Sequence, residues 1–146
     1  MARVDRSVIF VAFSGHELGY LGIHAFIERR PDIVSTAAAW MHFGANIGAA
    51  IGPGNRLAAS DDEIDDIATR AMVSVGLSVD QRVPRGTIPG GEAEVVHRGG
   101  GRYLAVTGRN ALFHNVEDRG PMAVDPKVIA RFSRGFASMA QAVAAR

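Results

Sequence analysis

The five histidines and fifteen carboxylates are the groups in this 146-residue chain able to do acid–base or metal chemistry. Three short segments set imidazole beside carboxylate or at the end of an apolar run. His16 and Glu17 follow Val8–Phe13, His42 falls near the end of 37–43, and His114 stands in a loop just before Glu117 and Asp118. Zinc takes imidazole nitrogen and carboxylate oxygen, and the same groups serve as general acids and bases. Cysteine is absent, which excludes disulfides, thiolate zinc sites and a cysteine nucleophile. His24, inside a helical stretch, and His97, near the end of a short one, read as structural or exposed.

Other motifs carry less. Phe13-Ser14-Gly15-His16 lacks the Gly-x-Ser-x-Gly spacing of a strand-to-helix nucleophile elbow. Gly99-Gly100-Gly101 precedes a strand rather than a helix, so it is no phosphate cradle. The acidic run Ser60-Asp61-Asp62-Glu63 reads as a capping box, Ser60 as N-cap and Glu63 at N3, in a solvated first turn rather than a metal site.

These residues need elements to hold them. Val8–Phe13 is six apolar residues without alternation, which predicts a strand buried on both faces. A helix over 18–29, stopping before Pro31, and a second strand over 37–43 complete a βαβ unit with parallel strands and a right-handed crossover. After a loop at 48–54 and the short apolar stretch Leu57-Ala58-Ala59, a helix carries Ile64, Ile67, Ala68, Ala71 and Val75, with Gly76 as its stop. A short helix spans 92–97 and a third strand 102–107. Asp125-Pro126 then begins a last helix as N-cap and N1, striped with Ile129, Phe132, Phe136, Met139, Ala140 and Val143. The pattern is α/β, a mixed and mostly parallel sheet with helices on both faces in three layers. In such sheets ligands bind beyond the carboxyl ends of the strands, where His16, Glu17, His42 and His114 would converge.

At 15.5 kDa the chain fits a single domain over 1–146, and 47% hydrophobic with 21% charged residues is a globular balance. The net charge is +1. Ten of the sixteen basic residues follow Gln81, interspersed with five acids and without an aromatic platform, so no nucleic-acid partner is expected. Nor is a membrane: the start lacks a signal-peptide pattern, and the longest apolar run falls far short of the ~20 residues of a spanning helix. As written, the expected compartment is cytoplasmic.

The run from Arg6 to Gly22, with Phe13-Ser14-Gly15-His16-Glu17-Leu18-Gly19-Tyr20-Leu21-Gly22 at its heart, resembles the signature of the co-catalytic di-zinc aminopeptidases. Their superfamily includes glutamate carboxypeptidase, glutaminyl cyclase and transferrin-receptor ectodomains. The pattern there is an apolar strand, a Glu-Glu pair, then Gly-Leu-x-Gly opening a helix. Ala39-Trp40-Met41-His42-Phe43-Gly44 is similar to the next strand with its metal-binding Asp, and Phe113-His114-Asn115-Val116-Glu117-Asp118 to the Tyr-His-x-x-x-Asp turn. The helix opened by Val124-Asp125-Pro126 continues the match, which covers most of the chain.

The resemblance implies peptide or amide hydrolysis by metal-activated water, with a degenerate ligand set. His16 replaces the general-base Glu, Glu17 keeps a zinc ligand, His42 replaces the Asp ligand, and His114 keeps the last one. Near Gly91-Glu92-Ala93 the family's Asp-His pair is altered too. A further His and a bridging Asp lie upstream in the family, where this sequence does not reach. The implied site is therefore at most one zinc on Glu17, His42 and His114, with His16 as base. The expected partners are a peptide or small amide substrate, and a second copy or an N-terminal segment covering the sheet edge. The alternative is a non-catalytic binding or assembly domain of the same fold.

Overall fold

A computed structural model describes residues 6–146. Four strands, β1 (Trp40–Phe43), β2 (Gly54–Ala59), β3 (Gln81–Arg82) and β4 (Tyr103–Arg109), form one sheet in the order β1-β4-β2-β3. β1 runs parallel to β4 with His42 opposite Ala105, and β2 runs parallel to β3. β2 and β4 are antiparallel, with Ala58 opposite Ala105 and Arg56 opposite Thr107. The helices are α1 (Leu21–Glu28), α2 (Ile33–Thr36), α3 (Asp62–Ser74), α4 (Ala93–Arg98) and α5 (Pro126–Ala144).

Alternation along the strands decides the layers, because successive side chains point to opposite faces. Leu57, Ala59, Leu104 and Val106 meet Ile64, Ile67, Ala68, Ala71 and Met72 of α3, with Phe132 and Met139 of α5. Ala58, Tyr103 and Ala105 face the other way, onto Ile23 of α1, Val34 of α2, and Ala93 and Val96 of α4. Helices thus cover both faces, as the sequence predicts. Each fully buried Leu or Ile contributes roughly 1.5–3 kcal/mol through its lost contact with water.

The two long helices have clear start signals. Asp125 accepts from the backbone N–H groups of Lys127 and Val128, and Pro126 takes the first helical position. At α3 the cap is Asp61, not Ser60: its carboxylate accepts from Ile64 N–H at 3.0 Å. Ser60 is held by the sheet instead, its N–H donating to the Tyr103 carbonyl and its hydroxyl accepting from Tyr103 N–H. Glu63 does not close a capping box, because it pairs with Arg102 and Arg146.

The structure corrects the start of the chain. Val8–Phe13 joins no ladder, and Ile9 and Phe10 are 63% and 88% exposed. The segment stands off from β1 across a cavity of about 390 Å³ lined by Val8, Phe10, Trp40, Met41 and Phe43. A strand exists only through its hydrogen-bonded neighbour, and β1 pairs with β4 alone. The predicted βαβ crossover between Val8–Phe13 and β1 falls with it. Conversely, Leu57-Ala58-Ala59 belongs to a full strand in the middle of the sheet. Among the described residues no helix is long and apolar enough to cross a membrane.

Candidate active site

The carboxyl ends of β1 and β4 open into a cleft of about 400 Å³. Its floor is small: Ala58, Ala105, Thr107 and Gly44 stand where larger side chains would fill the space. His16, His42, Glu92 and Arg56 also line it, with β4 lying between the strand of His42 and the strand of Arg56. His16 lies in the single helical turn His16–Leu18, directly after left-handed Gly15 at φ 69°. His42 is on β1, facing the α1/α4 side like its neighbour Ala105. Glu92 is buried at the start of α4, yet its side chain caps nothing.

That freed carboxylate reaches the imidazoles. His16 Nδ1 lies 3.0 Å from Glu92 Oε1, and His42 Nδ1 lies 3.8 Å from Oε2. An ionised carboxylate only accepts, so the His16 Nδ1–H donates. Burial opposes charge on Glu92, but the His16 hydrogen bond and both nearby imidazoles outweigh it and lower its pKa. Burial also lowers His42, against the opposing pull of Glu92, which favours a neutral ring.

Glycines shape the pocket for His42. A Cβ on Gly91, whose φ is +68°, would come within 2.7 Å of His42 Nε2, and one on Gly44 within 3.0 Å. The half-exposed His16 ring meets Tyr20 edge-on at 5.1 Å. Tyr20, Asn46 and His114 are the non-glycine residues with left-handed backbone among those described, at φ 60°, 66° and 61°. Tyr20 packs on His16, Asn46 lines the cleft, and His114 lines an adjoining cavity. Residues held in this region cost energy and concentrate at functional sites.

The sequence-predicted residues divide into two places. His16 and His42 share Glu92 in the cleft. Glu17 and His114 form a separate, exposed pair at 3.8 Å, with His114 stacked on Phe113. Among the described residues no group of three or more His, Cys, Asp or Glu side chains could hold a metal ion. As they stand, Glu17, His42 and His114 do not fit a shared zinc. Glu92 is the residue sequence reasoning left without a role; the available signal was a carboxylate directly behind Gly90-Gly91 at a helix start.

No family model and no curated protein matches the chain. Among solved structures it superposes on a Clostridium acetobutylicum protein whose name proposes a peptidase. The TM-score is 0.55 at 13% identity, over 85% of this chain. The likeness is one of fold. The chain spans 30% of the length of that clostridial protein. The α/β architecture expected from the sequence, a mixed sheet with helices on both faces, is therefore met.

Proposed function

We propose that the chain is a peptidase-like hydrolase domain whose cleft takes a peptide or small amide, with His16 as general base. The observation that carries this is the 3.0 Å hydrogen bond from His16 Nδ1 to the buried carboxylate of Glu92. It fixes the tautomer, so that Nε2 keeps its lone pair for a proton arriving from the cleft. Nε2 removes a proton from water as the water oxygen bonds to the amide carbonyl carbon. The imidazolium so formed is stabilised by Glu92. It then returns the proton to the leaving nitrogen as the C–N bond breaks. A positioned base of this kind contributes about 10²–10⁴-fold to rate. Glu17 and His114 face each other at the surface whereas His42 faces Glu92, so these three side chains do not share an ion in this reading.

Hydrolysis of a panel of dipeptides and amino-acid amides by the purified chain tests the reading. Turnover that falls at least about 100-fold in His16→Gln, with the fold retained by circular dichroism, supports it. A folded wild-type chain without turnover above buffer on the whole panel contradicts it.

A second reading, a non-catalytic assembly domain, has one observation in its favour. Exposed Val8, Ile9, Phe10 and Val11 flank the outer edge of β1, and an open edge beside apolar surface invites another chain. A dimer by sedimentation that Phe10→Asp returns to monomer would favour this reading, and a wild-type monomer at high concentration would remove it.

A further inference from the structure

The outer edge of β1 is one wall of a slot. β1 pairs with β4 on its inner side, Trp40 N–H donating to the Arg102 carbonyl and Gly44 N–H to that of Val106. Backbone groups alternate in direction along a parallel strand, so those of Met41 and Phe43 point outward from the sheet. Among the described residues no backbone group pairs with them. An edge of this kind is a template for a further strand.

The helices on both faces overhang that edge. Phe26 and Ile33 bound the cavity of about 390 Å³ on the α1/α2 side, and Ala140 and Val143 bound it on the α5 side. A strand entering here is covered on both faces, and strands so covered are continuous apolar runs without alternation. Val8-Ile9-Phe10-Val11-Ala12-Phe13 is a run of that kind.

Within one molecule this run is the outer wall of the slot, pinned at both ends. The Arg6 guanidinium donates to the Arg146 carbonyl at 2.7 and 3.1 Å. At the other end Phe13 meets Phe26 edge-on at 5.7 Å, and the Ser14 carbonyl accepts from Gly22 N–H. Each molecule thus offers an apolar slot with unpaired backbone and, beside it, an exposed run of the composition that fills such a slot. Two copies about a twofold axis satisfy both at once, by exchanging the same element.

The area involved is enough. Val8, Ile9, Phe10 and Val11 lie between 40% and 88% exposed. At about 150–250 Å² for an aromatic side chain and less for the others, each run with the wall it covers amounts to roughly 800 Å². Two exchanged runs bury on the order of 1,600 Å², the size of a stable protein interface.

We propose that the chain forms a strand-exchanged dimer, in which Val8–Phe13 of each copy enters the other's slot and hydrogen-bonds to Met41 and Phe43. This rests on the assembly reading of the exposed β1 edge and is independent of the cleft chemistry.

The test joins sedimentation of the whole chain to isotope-filtered NMR of a dimer assembled from labelled and unlabelled copies. The expected result is a dimer in which the Phe10 ring of one copy contacts the Met41 and Val143 side chains of the other. At a concentration about 100 times the dissociation constant, exchange of the Met41 and Phe43 amides should slow about 100-fold relative to the dilute chain. Phe10→Asp, at a position open to solvent in the single molecule, should remove the dimer, the contacts and the protection while circular dichroism shows the fold retained. A wild-type monomer at high concentration overturns the assembly reading and this proposal together, even if its own run closes the slot. A dimer that lacks those contacts between copies, or whose Met41 and Phe43 amides exchange freely, overturns strand exchange and leaves the assembly reading intact.

Discussion

The two faces of the sheet come from the same strands and do opposite things. On one face Leu57, Leu104 and Val106 are sealed by α3 and α5, and Ile64, Met72, Leu104 and Met139 have no exposure at all. On the other, the helical cover stops at Glu92 and Ala93, and the strand ends beyond carry Ala58, Ala105, Thr107, His42 and Arg56 around open space. Large apolar side chains on the first face supply burial. Small ones on the second leave room for titratable groups that burial would otherwise neutralise. A period of two residues lets one strand serve both ends at once.

The sharpest way to break this contrast is a matched pair of truncations on β4. Leu104→Ala should lower stability by about 2–5 kcal/mol, because a completely buried leucine leaves a cavity under α3 and α5. Thr107→Ala on the cleft floor should stay within about 0.5 kcal/mol. Urea unfolding followed by circular dichroism measures both, and equal losses would mean that the faces do not divide the work.

Gly91→Ala comes next. It forces a side chain into left-handed backbone and toward His42 Nε2, costing about 1–2 kcal/mol for the backbone alone. The added methyl should also displace the His42 ring, visible as a changed ring-proton shift. Loss of stability without that change would locate the strain elsewhere.

Asp61→Ala tests the sealed face through its helix cap and should cost about 1 kcal/mol. The hydrogen bond from Arg102 holds the Asp61 carboxyl far below its ordinary 3.8. A lowered folded-state pKa means that the stabilisation is complete above 3.8 and fades as pH falls below it. The gap between wild type and Asp61→Ala should therefore narrow on acidification below pH 3.8. A gap independent of pH would deny the ion pair its part.

The smallest effect on stability belongs to Glu92→Gln, which keeps the shape of a residue whose partners are partly open to water. Its effect on titration should be clear. His42 should titrate below its ordinary 6.5 in the wild type, and lower still once the Glu92 charge that favours its protonation is gone. In linkage terms, His42 contributes stability above pH 6.5 that is lost as pH falls through its folded-state value. NMR titration of the ring protons reads this directly, and a rise of the His42 pKa in Glu92→Gln would contradict the geometry.

Much of the sealed face was legible in the sequence. Ile64, Ile67, Ala68 and Ala71 repeat at helical spacing, and Asp125-Pro126 announces α5, because caps and periodicity are local signals. Val8–Phe13 misled because its composition is that of a buried strand, while pairing depends on a neighbour that composition cannot supply. The strand at Gly54–Ala59 was only half seen, since Gly, Asn and Ala favour sheets poorly and its place between β3 and β4 does the work. The site divides in the same way. His16 and His42, which line the cleft, stand at the ends of apolar runs that the sequence marks. Glu92 has no such mark, because 76 residues separate it from His16 and the fold alone brings them together.

The proposed chemistry requires Glu92 to set the tautomer of His16 and so leave Nε2 free to act on the cleft. Long-range proton–nitrogen NMR correlation distinguishes the two neutral tautomers of each histidine. At a pH where His16 is neutral, the expected result is the Nδ1–H form in the wild type and a shift toward Nε2–H in Glu92→Gln. A wild-type His16 already protonated on Nε2 would contradict it.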